Sequence, residues 1–357
     1  MRDELAERLL SRVMGWDSTQ LPGYVGDLQA LAQVKYDDYA NYGPGAKFLE
    51  SLAVWLNQFP KERQQLAIDF VMEELVFISE KEMSHLIMLV ASEVIAPVLR
   101  ERIGELSGIE AHRIHAIEAL ADYERLRRAS LVIAASDGAR LDRLRRACGL
   151  SHEQFLQGPA ATTAQIEPLS KKLAKQLQAR EEHAPFQHVF FVDDFSGSGR
   201  TLTRVDDGVA EGKLVRLAEN LKEAASAGYV SEDVGGTVVL YCASEQALEQ
   251  IKENLQSTGL KNWQVRSVDL LPRTLRVTET NQEMAELCRE YVDPCTEDEH
   301  KGLVPVGYSE CALPLVLAHN TPNNSICLLW MDTRDRPDGK QRCALFPRYE
   351  RHHPDRP

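Results

Sequence analysis

The sequence predicts a mixed α/β protein in which a helical N-terminal region precedes a parallel sheet flanked by helices. Three observations predict it. Apolar residues keep helical spacing to about residue 105. From about residue 130, short apolar runs alternate with helical stretches. Those runs are continuously apolar, the pattern of strands covered on both faces. The 357 residues suit about two domains at roughly 100–200 residues each. We place a helical domain at 1–110, an α/β domain at 111–348 and a flexible tail at 349–357.

The elements follow in order. Leu5, Leu9, Leu10 and Val13 share one helix face, as do Phe48, Leu49, Leu52, Trp55, Leu56 and Phe59, and then Leu66, Ile68, Phe70, Val71, Leu75 and Val76. Gly43-Pro44-Gly45 and Pro60 punctuate them. Strands are expected at 131–134, 189–192, 237–241, 263–268 and 314–318, with helices at 144–148, 166–180, 214–225 and 245–255. The tail from 332 onward, rich in Pro, Arg and Asp, reads as irregular.

Bulk properties exclude several classes. A net charge of −13 disfavours a general nucleic-acid or membrane-surface binder, since both need a basic face. The arginines at 125, 127, 128, 140, 143, 145 and 146 keep a local nucleic-acid contact open. The seven cysteines form no Cys-x-x-Cys pair. They read as free thiols in a reducing compartment, which places the protein in the cytoplasm. The most apolar stretch, 86–99, contains Glu93 and Pro97 and reads as too short to span a bilayer.

The chemistry concentrates where the strand at 189–192 runs into Asp193-Asp194-Phe195-Ser196-Gly197-Ser198-Gly199-Arg200-Thr201. Ligands of open parallel sheets bind at the carboxyl ends of strands. Two adjacent carboxylates there are costly unless partnered, and sugar hydroxyls are natural donors to them. Ser196, Gly197, Ser198 and Gly199 are small enough for backbone N–H groups to approach a phosphate closely. Arg200 and Thr201 add donors. A helix starting near Arg200 would add its N-terminal dipole. A Walker A loop would need Lys after Gly199, and a dinucleotide fingerprint would need Gly at Leu202. The plain alternative is a strand-end turn with solvated aspartates.

Two further segments join it. Ser136-Asp137-Gly138-Ala139-Arg140 follows the strand at 131–134 and suits an anion through its glycine and arginine, or a bland Asp-Gly turn. His319-Asn320-Thr321-Pro322-Asn323-Asn324 follows the last expected strand. There, Asn320, Thr321, Asn323 and Asn324 suit an acceptor group and His319 a proton carrier, or the whole is a structured turn.

An apolar strand, Asp-Asp, four residues, Gly, one residue and Thr resembles the signature of type I phosphoribosyltransferases. That resemblance implies a phosphoribosyltransferase-type sheet. It implies that Asp193 and Asp194 hold the ribose hydroxyls of phosphoribosyl pyrophosphate and that residues 196–201 wrap its 5-phosphate. Ser136, Asp137, Gly138 and Arg140 would form the pyrophosphate loop. Mg2+ would sit near Asp193 and Asp194, held indirectly through ribose and water. The sequence departs from the pattern after the loop, where Asp206-Asp207-Gly208 and Glu211-Gly212 interrupt the helix before Leu214.

Lys35-Tyr36-Asp37-Asp38-Tyr39, Gly43-Pro44-Gly45, the Asp-Asp-Phe-Ser-Gly-Ser-Gly loop, the His-Asn-Thr-Pro-Asn-Asn turn and Leu345-Phe346-Pro347-Arg348 together resemble one branch. It is the phosphoribosyltransferase-like conflict-effector family of bacteria, and the resemblance spans about 30–348. It implies a role in antiphage defence beside an operon-encoded protein partner. Three functions stay open: a magnesium-dependent phosphoribosyltransferase, a non-catalytic nucleotide or phosphoribosyl sensor that regulates a partner, and an interaction protein with a vestigial loop. The acid pair argues against the last, because two strand-end carboxylates without a ligand are an electrostatic cost.

Overall fold

The computed structural model describes residues 2–16, 21–294, 304–334, 337 and 339–348. The tail expected at 349–357 lies outside them. The described strands are β1 (Val76–Ile78), β2 (Ser130–Ala134), β3 (Phe155–Leu156), β4 (Phe186–Ser196), β5 (Arg204–Asp206), β6 (Val209–Glu211), β7 (Val230–Ser244), β8 (Trp263–Leu271) and β9 (Leu315–Leu317).

Two compact units result, and they do not follow the expected division at residue 110. One is Ser84–Leu271; the other joins Met1–Met83 to Pro272–Pro357. The chain begins in the 1–83 and 272–357 unit, leaves it to build the 84–271 unit and then returns. Linear reading misses this because the pairing is between distant segments, as where the Trp55 indole donates to the Leu328 carbonyl at 2.8 Å.

The 84–271 unit holds a five-stranded parallel sheet in the order β3-β2-β4-β7-β8. Four of the five expected strands lie in it, with helices between them. Leu131, Val132, Ile133, Val189, Phe190, Phe191, Val192, Val238, Val239 and Leu240 are all fully buried. From β2 the chain steps to β3 on one side, then crosses to β4 on the other and continues outward. Neighbouring β2 and β4 therefore lead in opposite directions, and the crevice at their carboxyl ends is the topological switch point.

Three local expectations are corrected. The strand expected to end before the acid pair continues through it to Ser196. No helix starts near Arg200. The antiparallel pair β5–β6 intervenes, and the helix begins at Lys213 and runs to Ser226, because Asp207 and Gly208 both take positive φ and turn the chain. The apolar run at 314–318 forms β9, which pairs with β1 in the other unit rather than joining the main sheet. A buried run discloses its burial but not its neighbour.

The stretch at 86–99, expected to be too short for a bilayer, lies in a helical run of 28 residues, Glu80–Ser107, long and apolar enough to cross one. Ile87, Val90, Val94, Val98 and Leu99 on it are buried within the fold. A core helix passes the same length test.

The other unit is built around aromatic rings. Phe346 packs against Tyr36, Tyr39, Tyr42, Phe48 and Phe77 at centroid distances of 5.2–5.9 Å. The N-terminal and C-terminal motifs thus meet in one core.

Candidate functional site: an acid pair at the sheet switch point

Adjacent parallel strands bring together two of the three segments singled out in the sequence. Ala134 of β2 lies in register with Val192 of β4, and the Ala135 amide donates to the Val192 carbonyl at 2.8 Å. Residues 136–140 therefore begin beside the acid pair. The Ser136 hydroxyl donates to Asp193 Oδ1. A Cβ at Gly138 would lie 2.5 Å from Asp194 Oδ2 and 2.6 Å from its Cγ. Only glycine leaves room for that carboxylate there. The Tyr241 hydroxyl of β7 donates to the Ala139 carbonyl and ties down the same loop. Burial, and then the charges of Asp194 and Asp193, push its phenol up, so it remains a donor.

The two carboxylates differ. Asp193 is 6% exposed. Lys213 Nζ stands 3.5 Å from its Oδ2, and the Asp194 amide donates to its Oδ1 at 3.3 Å. Burial, and next the neighbouring charge of Asp194, push the Asp193 carboxyl up to about 6, against the opposing pull of Lys213 and Ser136. Asp194 is half-buried, and its Oδ1 accepts from the Phe195 amide at 2.9 Å.

Beyond the pair, the loop is fixed by its own backbone and by the helix Glu245–Ser257. Ser196 Oγ accepts from the Gly199 amide at 3.2 Å. Ser244 caps that helix, accepting from the Ala247 amide at 3.0 Å, and donates to the Gly197 carbonyl at 2.5 Å. Gly199 takes φ 75°, and a Cβ on it would lie 2.9 Å from the Ala247 carbonyl oxygen. Ser198 is buried and Thr201 exposed. The Arg200 guanidinium pairs with Asp206 at 2.6 Å, and Arg204 with the same carboxylate at 2.7 Å.

Arg140 follows a single helical turn at Asp137–Ala139 and takes φ 45°, the left-handed region, just before the helix Leu141–Cys148. Of the arginine cluster, Arg127 and Arg128 pair with Glu124 at 2.8 and 3.0 Å, and Arg143 donates to Ser84 at 2.8 Å. That cluster is partly engaged within the fold.

The third segment belongs to the other unit. Thr321 is fully buried. Its hydroxyl donates to the Phe346 carbonyl at 3.0 Å and meets Tyr39 Oη at 2.9 Å, while its amide donates to Tyr39 Oη at 3.1 Å. Asn324 donates to the Tyr308 carbonyl at 3.2 Å. Asn41 Nδ2 donates to the His319 carbonyl and to Asn320 Oδ1, both at 3.2 Å. Asn323 accepts from the Tyr308 amide at 2.7 Å through its carbonyl. His319 and Asn323 are half-buried. This is a structured turn, with Thr321 and Asn324 holding it together.

Sequence reading missed Lys213, Tyr241 and Ser244. Lys213 had one signal: a lysine directly after a glycine, at the start of the helix following the loop. Tyr241 and Ser244 had only their position on a strand adjacent to the acid pair. Among the described residues no group of three or more His, Cys, Asp or Glu side chains could hold a metal ion.

A family model described as PRTase-CE matches residues 52–348. No curated protein and no solved structure matches the chain.

Proposed function

The chain belongs to the PRTase-CE family, the phosphoribosyltransferase conflict effectors, and on that premise we propose that it binds phosphoribosyl pyrophosphate, or a nucleotide in the reverse sense, and transfers or removes a phosphoribosyl group. The observation that carries this is the meeting of the acid pair with the Gly138 turn at the carboxyl ends of β2 and β4. That crevice is where a doubly wound sheet takes its ligand.

The Asp193–Asp194 pair orients the ribose by accepting hydrogen bonds from its hydroxyls. The small residues 196–199 admit the 5-phosphate to the backbone, with Thr201 beside them. Arg140 pairs with the departing pyrophosphate. Catalysis of this kind is positional and electrostatic.

Magnesium fits this site only as an ion carried in on phosphate oxygens. Two carboxylates with no third ligand among the described residues make a poor protein cage but suit an ion that keeps its waters. Asp194 and Asp193 would hold it through water and ribose, and when bound it would neutralise pyrophosphate charge. The role is antiphage defence in the cytoplasm, beside an operon-encoded partner. The six described cysteines are free thiols, in keeping with a reducing compartment.

One observation favours a second reading, a non-catalytic sensor that regulates its partner. The acid pair and the Gly138 turn, which carry the sugar reading, both lie within the Ser84–Leu271 unit, and binding there needs no proton carrier. Calorimetric titration with magnesium and phosphoribosyl pyrophosphate tests both. Wild-type protein should bind, and a folded Asp193→Asn/Asp194→Asn variant should not. Two charge-assisted hydrogen bonds at about 1.5–3 kcal/mol each make the loss at least 100-fold. Equal binding by both proteins would sink the reading. Binding without turnover of any offered base, nucleotide or protein acceptor would select the sensor.

A further inference from the structure

We propose that the 84–271 unit carries a second ligand site, at the amino end of its sheet, where Arg102 seats the carboxylate of a small molecule whose amino group turns to the acidic rim at Glu105 and Asp233. The site is separate from the acid-pair crevice and does not depend on the sugar reading. His188 on its wall and Asp193 share the strand β4, five residues apart, which is about 16 Å at roughly 3.3 Å per residue.

A cavity of about 390 Å³ lies near the starts of β4, β7 and β8, walled by Val98 and Arg102 of the helix Ala96–Ser107 and by His188, Gly235, Gly236 and Trp263. That volume suits a small molecule. The two adjacent glycines keep it open. A Cβ at Gly235 would lie 2.3 Å from Arg102 Nη1, and one at Gly236 would lie 2.3 Å from the Trp263 ring. Neither glycine takes positive φ, so what they supply is room for the guanidinium and the indole. The edge is fixed by Asn262, whose side chain donates to the Val234 carbonyl and whose carbonyl accepts from the Gly236 amide at 3.1 Å.

Arg102 is held but not neutralised. One of its N–H groups meets His188 Nδ1 at 3.1 Å. Arginine only donates, so Nδ1 accepts, and the other ring nitrogen carries the proton and donates to the Thr237 hydroxyl at 3.0 Å. His188 is 3% exposed. Burial, and next the charge of Arg102, lower its pKa to about 3, so the ring grips the guanidinium without sharing its charge. Among the described residues no carboxylate pairs with Arg102: Glu101 on the same helix pairs with Arg266 at 2.9 Å, and Asp233 accepts from Ser231 at 2.9 Å. A half-buried cation without a counter-charge is costly, and a guanidinium fork fits a carboxylate through two parallel hydrogen bonds. The rim selects the rest of the ligand. Glu105, Asp233 and Lys261 are exposed there. Arg102 and Lys261 against Glu105 and Asp233 leave the cavity near neutral. That balance suits a ligand with a carboxylate at one end and an ammonium at the other, and it disfavours a phosphate dianion.

Trp263 reports from the wall of the cavity. The chain has 4 tryptophans, so the indole N–H signals of a nitrogen-labelled sample are few, and Trp263→Phe assigns the one required. The full chain is titrated with 4-aminobutyrate, butyrate and inorganic phosphate. 4-Aminobutyrate should move the Trp263 signal saturably and leave the other indoles in place. Butyrate should bind about two- to fivefold more weakly, the contribution of an exposed ion pair, and phosphate more weakly still. Arg102→Met should weaken 4-aminobutyrate at least about tenfold, as loss of a charge-assisted hydrogen bond does. Gly235→Ala should do the same with the charge retained, because its Cβ displaces the guanidinium. The exposed double variant Glu105→Gln/Asp233→Asn should bring 4-aminobutyrate down to the level of butyrate. Asp193→Asn/Asp194→Asn should bind it as wild type does. A Trp263 signal that none of the three probes moves in wild type would overturn the site. So would shifts that persist in both Arg102→Met and Gly235→Ala, and loss of binding in the acid-pair variant would move the ligand to the other crevice. Phosphate binding more tightly than butyrate would overturn the choice of a carboxylate.

Discussion

Two polar turns follow parallel strands in this molecule, one in each compact unit, and they use their side chains differently. At 319–324, Thr321 is fully buried and bonded to Tyr39 and Phe346, and Asn324 is bonded to Tyr308. Its polarity holds the fold. At 193–201, two neighbouring carboxylates stand together, one of them buried and pushed up in its proton affinity. Its polarity costs the fold something. Similar residue types after similar strands therefore mean different things. The distinction is whether the polar atoms are satisfied by the chain or arranged with like charge against like charge.

Four measurements would break or sharpen that contrast. The largest effect is expected from Gly138→Ala. Its Cβ would press on the Asp194 carboxylate, and overpacking of this kind costs about 1–3 kcal/mol. Affinity for ribose 5-phosphate should fall about 10- to 100-fold in a titration, with a smaller effect on the melting temperature. An unchanged affinity would mean that Asp194 does not bind the sugar.

Thr321→Val is the opposite case. It removes the hydroxyl bonded to Tyr39 and Phe346 and should destabilise the protein by about 1–3 kcal/mol in denaturant unfolding. The same sugar affinity should be unaltered. Loss of affinity without loss of stability would give the turn a binding role.

The pH dependence separates the turns next. Sugar hydroxyls donate to ionised carboxylates, so affinity should rise as pH rises through about 6, the value to which Asp193 is raised, and then level off. The slope cannot exceed tenfold per pH unit for one proton. Ribose 5-phosphate itself titrates at about 6, so Asp193→Asn is the control that removes the carboxylate's share. Stability carries the converse sign. The folded state holds this proton more tightly than the ordinary value of 3.8 implies. Its favourable contribution is fully present below that value and is lost as pH rises through about 6. Asp193→Asn should therefore lose less stability than wild type between pH 4 and pH 7 in a denaturant series.

The smallest effect belongs to Arg200→Gln. Arg200 and Asp206 are 37% and 44% exposed, and such pairs contribute about 0–1 kcal/mol. A melting temperature that falls by many degrees would show that the hairpin holds the loop more firmly than its exposed ion pairs indicate.

The sequence disclosed the sheet and the loop because both are local. Continuous apolar runs at 131–134, 189–192 and 237–241 called for cover on both faces, 263–268 mixes polar with apolar residues as an edge strand does, and the small residues at 196–199 with two aspartates before them compose one short segment. The family followed from motifs that remain recognisable as strings. Lys213 was not legible in that way. It lies 20 residues from Asp193, and no periodicity relates the two. The same holds for Gly138, whose significance is the position of a carboxylate on another strand.

What the sequence determined by itself was chemistry and periodicity: an α/β chain, an acid pair with a phosphate-sized loop, and membership of the PRTase-CE family. The tertiary structure decided which distant pieces face each other. It placed the 136–140 turn beside the acid pair and assigned the run at 314–318 to a two-stranded pair with β1. It also engaged Asp193 with Lys213 and Ser136, which makes the two aspartates unequal. The physical reason is that burial, charge pairing and steric exclusion are properties of contacts between elements, and strand order and chain return, not local composition, set those contacts.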